Sequence, residues 1–326
     1  MFNLNFHDFE FRVNYKSERT LSPNSPMVKT LLENWNDSKK VFRLIKRITF
    51  TRPDLPLYFD LSIVKSSKRS GPRLISEYNI ETADVFNNPE TFEVEIEIDS
   101  TEARRFDINY LTKSFKKGIK IILGALQNTN YPISYKEQQL VKNEYMNCIY
   151  NDNPPERPMY TSDFVGPSSI SLEMIHIIPT NNELASANIR NPYTVTDKAD
   201  GYRALLYISS IGKIYLINTN MEVIFTGCIS KNNECFNTII DGEHVERDKN
   251  NNYINYFLCF DIYYVNKKSV REYPFLKIDG LVYSNKKMSK ELFRFNALTD
   301  IIQSLNVISV TETNPTLKTK ILYLLI

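Results

Sequence analysis

This sequence predicts an α+β chain of two domains, and three observations carry that prediction. Its 326 residues are about two ordinary domain lengths. Runs of alternating apolar and polar residues recur along it, with two helical stretches in its middle. The stretch YNDNPPERP (150–158) gathers turn and breaker residues into a linker. It divides the chain into residues 1–150 and 151–326.

The elements follow in order. FEFRVNYK (9–16) partly alternates and predicts a strand. PMVKTLLENWNDSKK (26–40) predicts a short helix, with Pro26 at its start where a missing N–H costs nothing. VFRLIKRITF (41–50) and LYFDLSIVK (57–65) predict strands separated by the turn signal RPDLP. SSKRSGPR (66–73) predicts a basic loop, and TFEVEIEID (91–99) is the cleanest strand in the chain. Residues 101–126 and 134–150 predict helices, with Ser100 as the expected N-cap of the first. Beyond 158, TVTDKADGYRALLYI, GKIYLINT, MEVIFTGC, NTIIDGEHV and YFLCFDIYY predict short strands joined by turns. SKELFRFNALTDIIQSL (289–305) predicts a helix. LKTKILYLLI (317–326) is an apolar end without cap or polar tail, which predicts a truncated chain.

Composition excludes several classes. At 42% hydrophobic and 24% charged, the chain is neither wholly disordered nor collagen-like. Lys and Arg number 40 against 38 Asp and Glu, a net charge of +2. Any nucleotide or RNA contact must therefore come from local clusters. No apolar run reaches membrane-spanning length, and MFNLNFHDFEF lacks the order of a signal peptide. Cys148, Cys228, Cys235 and Cys259 form no CxxC pair and there are three histidines, so free thiols are expected rather than zinc.

The sharpest local signal is Lys198-Ala199-Asp200-Gly201-Tyr202-Arg203. A lysine amine can attack the α-phosphate of a nucleoside triphosphate and form a lysyl N–P bond. It must be neutral to do so. A neighbouring cation such as Arg203, or a metal, would lower its pKa. Gly201 permits close backbone approach to a ligand. The plain alternative is an Ala-Asp-Gly turn. Further on, Ile240-Asp241-Gly242-Glu243 and Phe260-Asp261 each place a carboxylate on an apolar strand, and Ile278-Asp279-Gly280-Leu281-Val282 places another before an apolar pair. Such carboxylates can hold Mg²⁺ or contact a ribose, and an aromatic such as Phe260 can stack on a base.

KxDGxR, then DGE, then FD, in that order, resembles the covalent nucleotidyltransferase superfamily of mRNA guanylyltransferases and ATP- or NAD-dependent ligases. FVGPSSISLEMI (164–175) followed by YTVTDKADGYR is similar to the capping guanylyltransferase domain of large DNA viruses. The resemblance implies Lys198 as the nucleophile that carries GMP. It implies nucleotide contacts from Asp200, Gly201, Arg203, Glu243, Asp261 and Asp279, with Phe260 stacking on guanine. Asp279 lies 18 residues after Asp261. That gap is shorter than the family's, and the segment after it resembles what normally precedes the DGL motif. A coincidental match at Asp279 therefore stands beside the motif reading. The later lysine-rich motif and the OB domain of the family are absent from this sequence.

In the first half, TFEVEIEID puts Glu93, Glu95 and Glu97 on one face of a strand. Such a face is either a solvated edge or a site for Mg²⁺ or Mn²⁺. Arg43 and Arg47 share one face of the basic strand and Lys46 the other. With Asp60 and Lys65 of the next strand, these cations suit a triphosphate. The combination resembles the antiparallel β-tunnel RNA triphosphatase domain that precedes guanylyltransferase in viral capping enzymes. Asp8 and Glu10 are poor substitutes for that family's N-terminal glutamate strand, so its first strands are expected to be missing.

The expected fold is thus a tunnel-like antiparallel domain followed by a β-rich α/β nucleotidyltransferase-like domain. The expected function is mRNA 5′ capping: removal of the RNA γ-phosphate, then GMP transfer through a lysyl–GMP intermediate. GTP and 5′-triphosphate RNA are the implied substrates, Mg²⁺ or Mn²⁺ the implied metal, and another capping subunit an implied partner. By the viral analogy the setting would be the cytoplasm, a viral factory or a virion. The alternatives are an ATP-dependent ligase-type enzyme, and a non-catalytic remnant or partner subunit that binds RNA ends.

Overall fold

A computed structural model describes residues 2–16, 20–179, 188–191, 193–277, 293–311 and 317–321. The chain divides into two compact units, Met1–Leu126 and Gln127–Ile326.

In the first unit, β1 (Phe2–Phe6) and β2 (Phe11–Tyr15) form an antiparallel hairpin. Helix α1 (Pro26–Glu33) starts where Ser25 Oγ accepts the Val28 N–H, with Pro26 in the first turn, and it ends well short of residue 40. β3 (Arg43–Arg52), β4 (Leu55–Ser66) and β7 (Thr91–Ile98) form one antiparallel sheet in the order β3-β4-β7. The basic loop carries a two-residue ladder, β5 (Arg69–Ser70) with β6 (Arg73–Leu74). Helix α2 (Ile108–Leu126) packs Phe115, Ile121 and Ile122 against Leu57, Phe59 and Ile96. Gly118 lets it sit close: a Cβ there would stand 2.8 Å from Leu57 Cδ1.

Two expectations change here. The helix expected over 101–126 from Ser100 begins at Ile108 instead. Residues Glu102–Arg105 form a separate 3₁₀ turn, Phe106 is extended, and Asp107 Oδ1 accepts the Tyr110 N–H. The tunnel is not formed among the described residues. Three long strands make an open sheet, and closing a barrel takes about eight.

The second unit is built on a large sheet of β8 (Tyr202–Ile208), β9 (Lys213–Asn218), β10 (Val223–Ser230), β11 (Thr238–Arg247), β12 (Tyr253–Val265), β13 (Lys268–Ser269) and β14 (Val307–Ser309). Its order is β13-β12-β11-β8-β9-β10-β14, and β15 (Lys318–Ile321) pairs with β12 in parallel. Helix α3 (Tyr135–Ile149), capped by Ser134, buries Val141, Tyr145, Met146 and Cys148. These side chains join Leu205, Tyr207, Tyr215, Ile217 and Ile239 in one core layer. Helix α4 (Arg294–Ser304) sends Leu298 and Ile301 into a second layer with Leu206, Ile240 and Phe257. Strand alternation explains the two layers, because residues i and i+2 share a face and i+1 takes the other. Helix α3 thus belongs to the second unit's core, while YNDNPPERP follows it inside that unit.

All four cysteines are free and buried. Burial pushes the Cys148 thiol up to about 12, so it is inert at neutral pH. Among the described residues no helix is long and apolar enough to cross a membrane.

Candidate nucleotide site

The site lies at one end of the β8–β11–β12 ladder. Glu243 stands opposite Arg203, Asp241 opposite Leu205, and Ile239 opposite Tyr207. One face of the sheet therefore changes along its length from the apolar pair Tyr207–Ile239 to the charged pair Arg203–Glu243. β12 adds Asp261 directly opposite Asp241. The register shifts between the pairs Asp241–Asp261 and Gly242–Cys259, which leaves Phe260 as an extra residue in a bulge.

Lys198 and Asp200 precede β8 and are both exposed. Lys198 Nζ donates to Asp200 Oδ1 at 2.9 Å. That carboxylate raises the lysine above its ordinary value, by hydrogen bond first and by charge second. The expected lowering by Arg203 is not what the structure holds, because Arg203 is committed elsewhere. The Gly201 N–H donates to Glu243 Oε2 at 3.3 Å. A Cβ at Gly201 would meet the His244 carbonyl at 2.5 Å, so this glycine is required by the neighbouring strand as well as suited to a ligand. Behind it, buried His244 bridges Tyr202 OH (2.5 Å from Nδ1) and Asn255 Oδ1 (2.8 Å from Nε2). Burial holds its pKa down, which keeps the ring neutral.

Arg203 forms a fork on the fully buried Asp241, with Nε to Oδ1 at 3.1 Å and Nη2 to Oδ2 at 2.6 Å. Its Nη1 donates to the Pro167 carbonyl at 2.6 Å. Its guanidinium lies 5.4 Å from the Phe164 ring and 5.7 Å from the Phe260 ring. Phe260, the residue expected to stack on guanine, thus has a cation beside it. Asp261 accepts a second arginine fork, Arg294 Nε at 2.8 Å and Nη2 at 3.0 Å, while Arg294 Nη1 donates to the Tyr273 carbonyl. Phe164, Val165, Gly166, Pro167, Tyr263 and Arg271 join Asp261 and Arg294 around a cleft of about 310 Å³. Asp279 lies outside the described residues.

One wall of that cleft, residues 164–167, is anchored upstream by Asp163. This buried carboxylate takes Arg157 Nη1 at 2.7 Å and Nη2 at 2.8 Å, Tyr150 OH at 2.8 Å and the Tyr160 N–H at 2.8 Å. Tyr145 OH donates to its main-chain carbonyl at 2.7 Å. Arg157 first of all holds the Asp163 carboxyl well below the usual carboxylate range. Such a group adds stability above its unfolded pKa and loses it as pH falls towards the folded one. Asp163→Asn is expected to destabilise the second unit by about 3 kcal/mol at pH 7. Urea unfolding at pH 7 and in acid reads this: the gap between wild type and variant should close as pH falls below about 4.

In the first unit, the polar face of β3-β4-β7 does gather the expected residues, but as ion pairs. Arg43 Nη2 lies 2.7 Å from Glu93 Oε2. Arg47 lies 2.9 Å from Glu95 and 3.0 Å from Asp60, and its Nε donates to Ser62 Oγ at 3.0 Å. Long side chains reach over the small Ser62 of the central strand to make these pairs. Glu97 shares the face, opposite Tyr58. The expected metal ligands Glu93, Glu95 and Glu97 are thus not presented as a free set. Arginines already neutralise two of the three, and among the described residues no trio of His, Cys, Asp or Glu is placed to hold an ion. Strand alternation puts Lys46 and Lys65 on the other face from Arg43 and Arg47. Lys65 donates to the Phe86 carbonyl at 2.9 Å. The four expected triphosphate ligands therefore do not converge.

Asp241, Arg294 and Tyr263 were not singled out from sequence. The signal for Asp241 was present, since it lies two residues before Glu243 on an apolar strand and must share its face. Arg294 carried none, because its partner is 33 residues away.

The family-model match falls on this same unit. The family model described as "mRNA capping enzyme, catalytic domain" matches residues 125–310. A "Probable mRNA-capping enzyme" of Acanthamoeba polyphaga mimivirus is 29% identical over 183 residues, 56% of this chain. The match spans only 13% of that relative's length. The family match covers more than half the chain and takes in the whole ladder that carries Arg203, Asp241, Glu243 and Asp261; by that match the chain belongs to the mRNA capping enzyme catalytic domain family.

Proposed function

We propose that the second unit is a GTP:RNA guanylyltransferase domain working through a lysyl–GMP intermediate on Lys198. The observation that carries this reading is the head of β8. KADGYR opens the strand there, the Gly201 N–H is held by Glu243, and Arg203 stands on the charged end of the same sheet face. Family membership supports the capping chemistry.

The chemistry follows from the residues. The Lys198 Nζ lone pair attacks the GTP α-phosphorus, the bond to the bridging oxygen breaks, and pyrophosphate leaves. The amine loses its proton in this step. A diphosphate oxygen at the RNA end then attacks the same phosphorus, the N–P bond breaks, and the amine recovers a proton. In the structure Lys198 is paired with Asp200, so the lysine must leave that carboxylate and give up a proton before its lone pair can attack. Glu243 and the Gly201 amide hold the start of the strand, and Arg203 ties that strand to the Pro167 carbonyl in the cleft wall. Among the described residues no group of three His, Cys, Asp or Glu is placed to hold a resident metal. Asp261 is committed to Arg294, Asp241 to Arg203 and Asp200 to Lys198. The triphosphatase reading of the first unit rests on the strand resemblance, and its paired Arg43, Arg47, Glu93 and Glu95 do not add to it.

The test is covalent labelling of the purified chain with α-³²P-GTP, set beside α-³²P-ATP. An adduct from GTP and not ATP is expected. Preferential labelling by ATP would move the reading to a ligase-type enzyme. A folded chain that takes neither label would leave a non-catalytic RNA-end binder.

A further inference from the structure

We propose that Asp241 is a positioning residue of the nucleotide site: it fixes the Arg203 guanidinium and, through it, the wall of the cleft at residues 164–167. This rests on the guanylyltransferase reading above and adds to it the residue that sets the site's geometry.

Burial is the first argument. Asp241 is fully buried, and its two oxygens take three donors: Arg203 Nε, Arg203 Nη2 and Tyr263 OH at 2.8 Å. A carboxylate taken out of water is costly unless it is paired in this way, so the arrangement is demanding and leaves little freedom to the guanidinium. The second argument is what the remaining Arg203 donor does. Nη1 holds the Pro167 carbonyl, so one planar group ties β8 and β11 to the loop that lines the cleft. Three of the five guanidinium N–H groups are taken by these contacts, and the other two are the ones an anionic ligand can use. The third argument is the fit of the loop. A Cβ on Gly166 would stand 2.6 Å from Arg203 Nη2 and 2.9 Å from Asp241 Oδ2. The loop thus closes on the pair with no room for a side chain. Fixing a cation in advance of the ligand avoids ordering it at the moment of binding.

Three variants of the full chain separate the possibilities. Asp241→Asn keeps the shape and removes the charge. Gly166→Ala pushes the wall off the pair while leaving every charge in place. Tyr263→Phe removes one donor, and it keeps the test alive if Asp241→Asn does not fold. Two readouts are taken: the phenylglyoxal modification rate at Arg203, by peptide mass spectrometry without nucleotide, and the GTP dependence of GMP–adduct formation. Arg203 should react at least about tenfold faster in Asp241→Asn and Gly166→Ala than in the wild type. Half-saturating GTP should rise about tenfold, as when a ligand loses its orienting partner, with a much smaller change in rate at saturation. Arg203 as protected in Asp241→Asn as in the wild type would overturn the proposal. So would a half-saturating GTP that stays put when Arg203 is released. A folded wild type that forms no adduct counts against the guanylyltransferase reading itself, and the modification rates then decide separately whether Asp241 holds Arg203.

Discussion

Lys198→Ala is expected to abolish the covalent GMP adduct while leaving the fold intact. The side chain is 85% exposed, and among the described residues its one polar side-chain partner is Asp200, itself 96% exposed. Exposed pairs of this kind add little to stability, so the thermal midpoint should barely move. The chemistry has no such slack. On the proposed mechanism no other amine replaces the nucleophile that forms the N–P bond, and removing one typically costs many orders of magnitude in rate. Lys198→Arg makes the argument sharper: it keeps the charge and much of the reach, yet a guanidinium does not become a neutral nucleophile near neutral pH. Intact-mass measurement after incubation with GTP should show one added GMP on the wild type and none on either variant. An adduct on Lys198→Ala would place the nucleophile at another residue.

Legibility from sequence varied with the range of the interactions involved. Alternation made β7 readable, and residues 134–150 were readable as the helix that became α3, because both signals are local. Helix α2 was overextended because residues 101–107 have helical composition, whereas Asp107 caps the following turn and Phe106 turns the chain into an extended conformation. The unit boundary fell after Leu126 rather than at the breaker-rich 150–158. Helix α3 sends Val141, Tyr145 and Cys148 into the second unit's core, a long-range choice that the local helix signal did not carry. Motif order pointed to the charged end of the β8–β11–β12 ladder, since Arg203, Glu243 and Asp261 sit in strands that pair in register. The ion-pair partners were not legible. Arg43 finds Glu93 and Arg294 finds Asp261 only after a sheet or a chain reversal brings them together.

Gly242→Val is expected to cost the second unit both its stability and its adduct, although the site chemistry does not involve residue 242 directly. Strand alternation turns a side chain there away from Asp241 and Glu243 and into the layer that holds Phe257 and Ile240. A Cβ alone would stand 2.5 Å from the Leu258 carbonyl and 2.6 Å from Phe257 Cε1. The first of these is backbone in the facing strand and the second a fully buried ring, so neither yields cheaply. Overpacking of this kind costs about 3 kcal/mol. The relief available is a shift of β12 against β11, next to the bulge that sets Phe260 and Asp261 opposite Asp241. Stability and the GMP adduct should therefore be lost together in Gly242→Val. Gly71→Ala should lose far less: a Cβ there has no atom within 4 Å, and the cost is confined to the residue's own left-handed backbone. Paired urea melts and adduct assays on the two variants check this. Equal losses would mean that the DGE glycine is not selected by the closeness of β12.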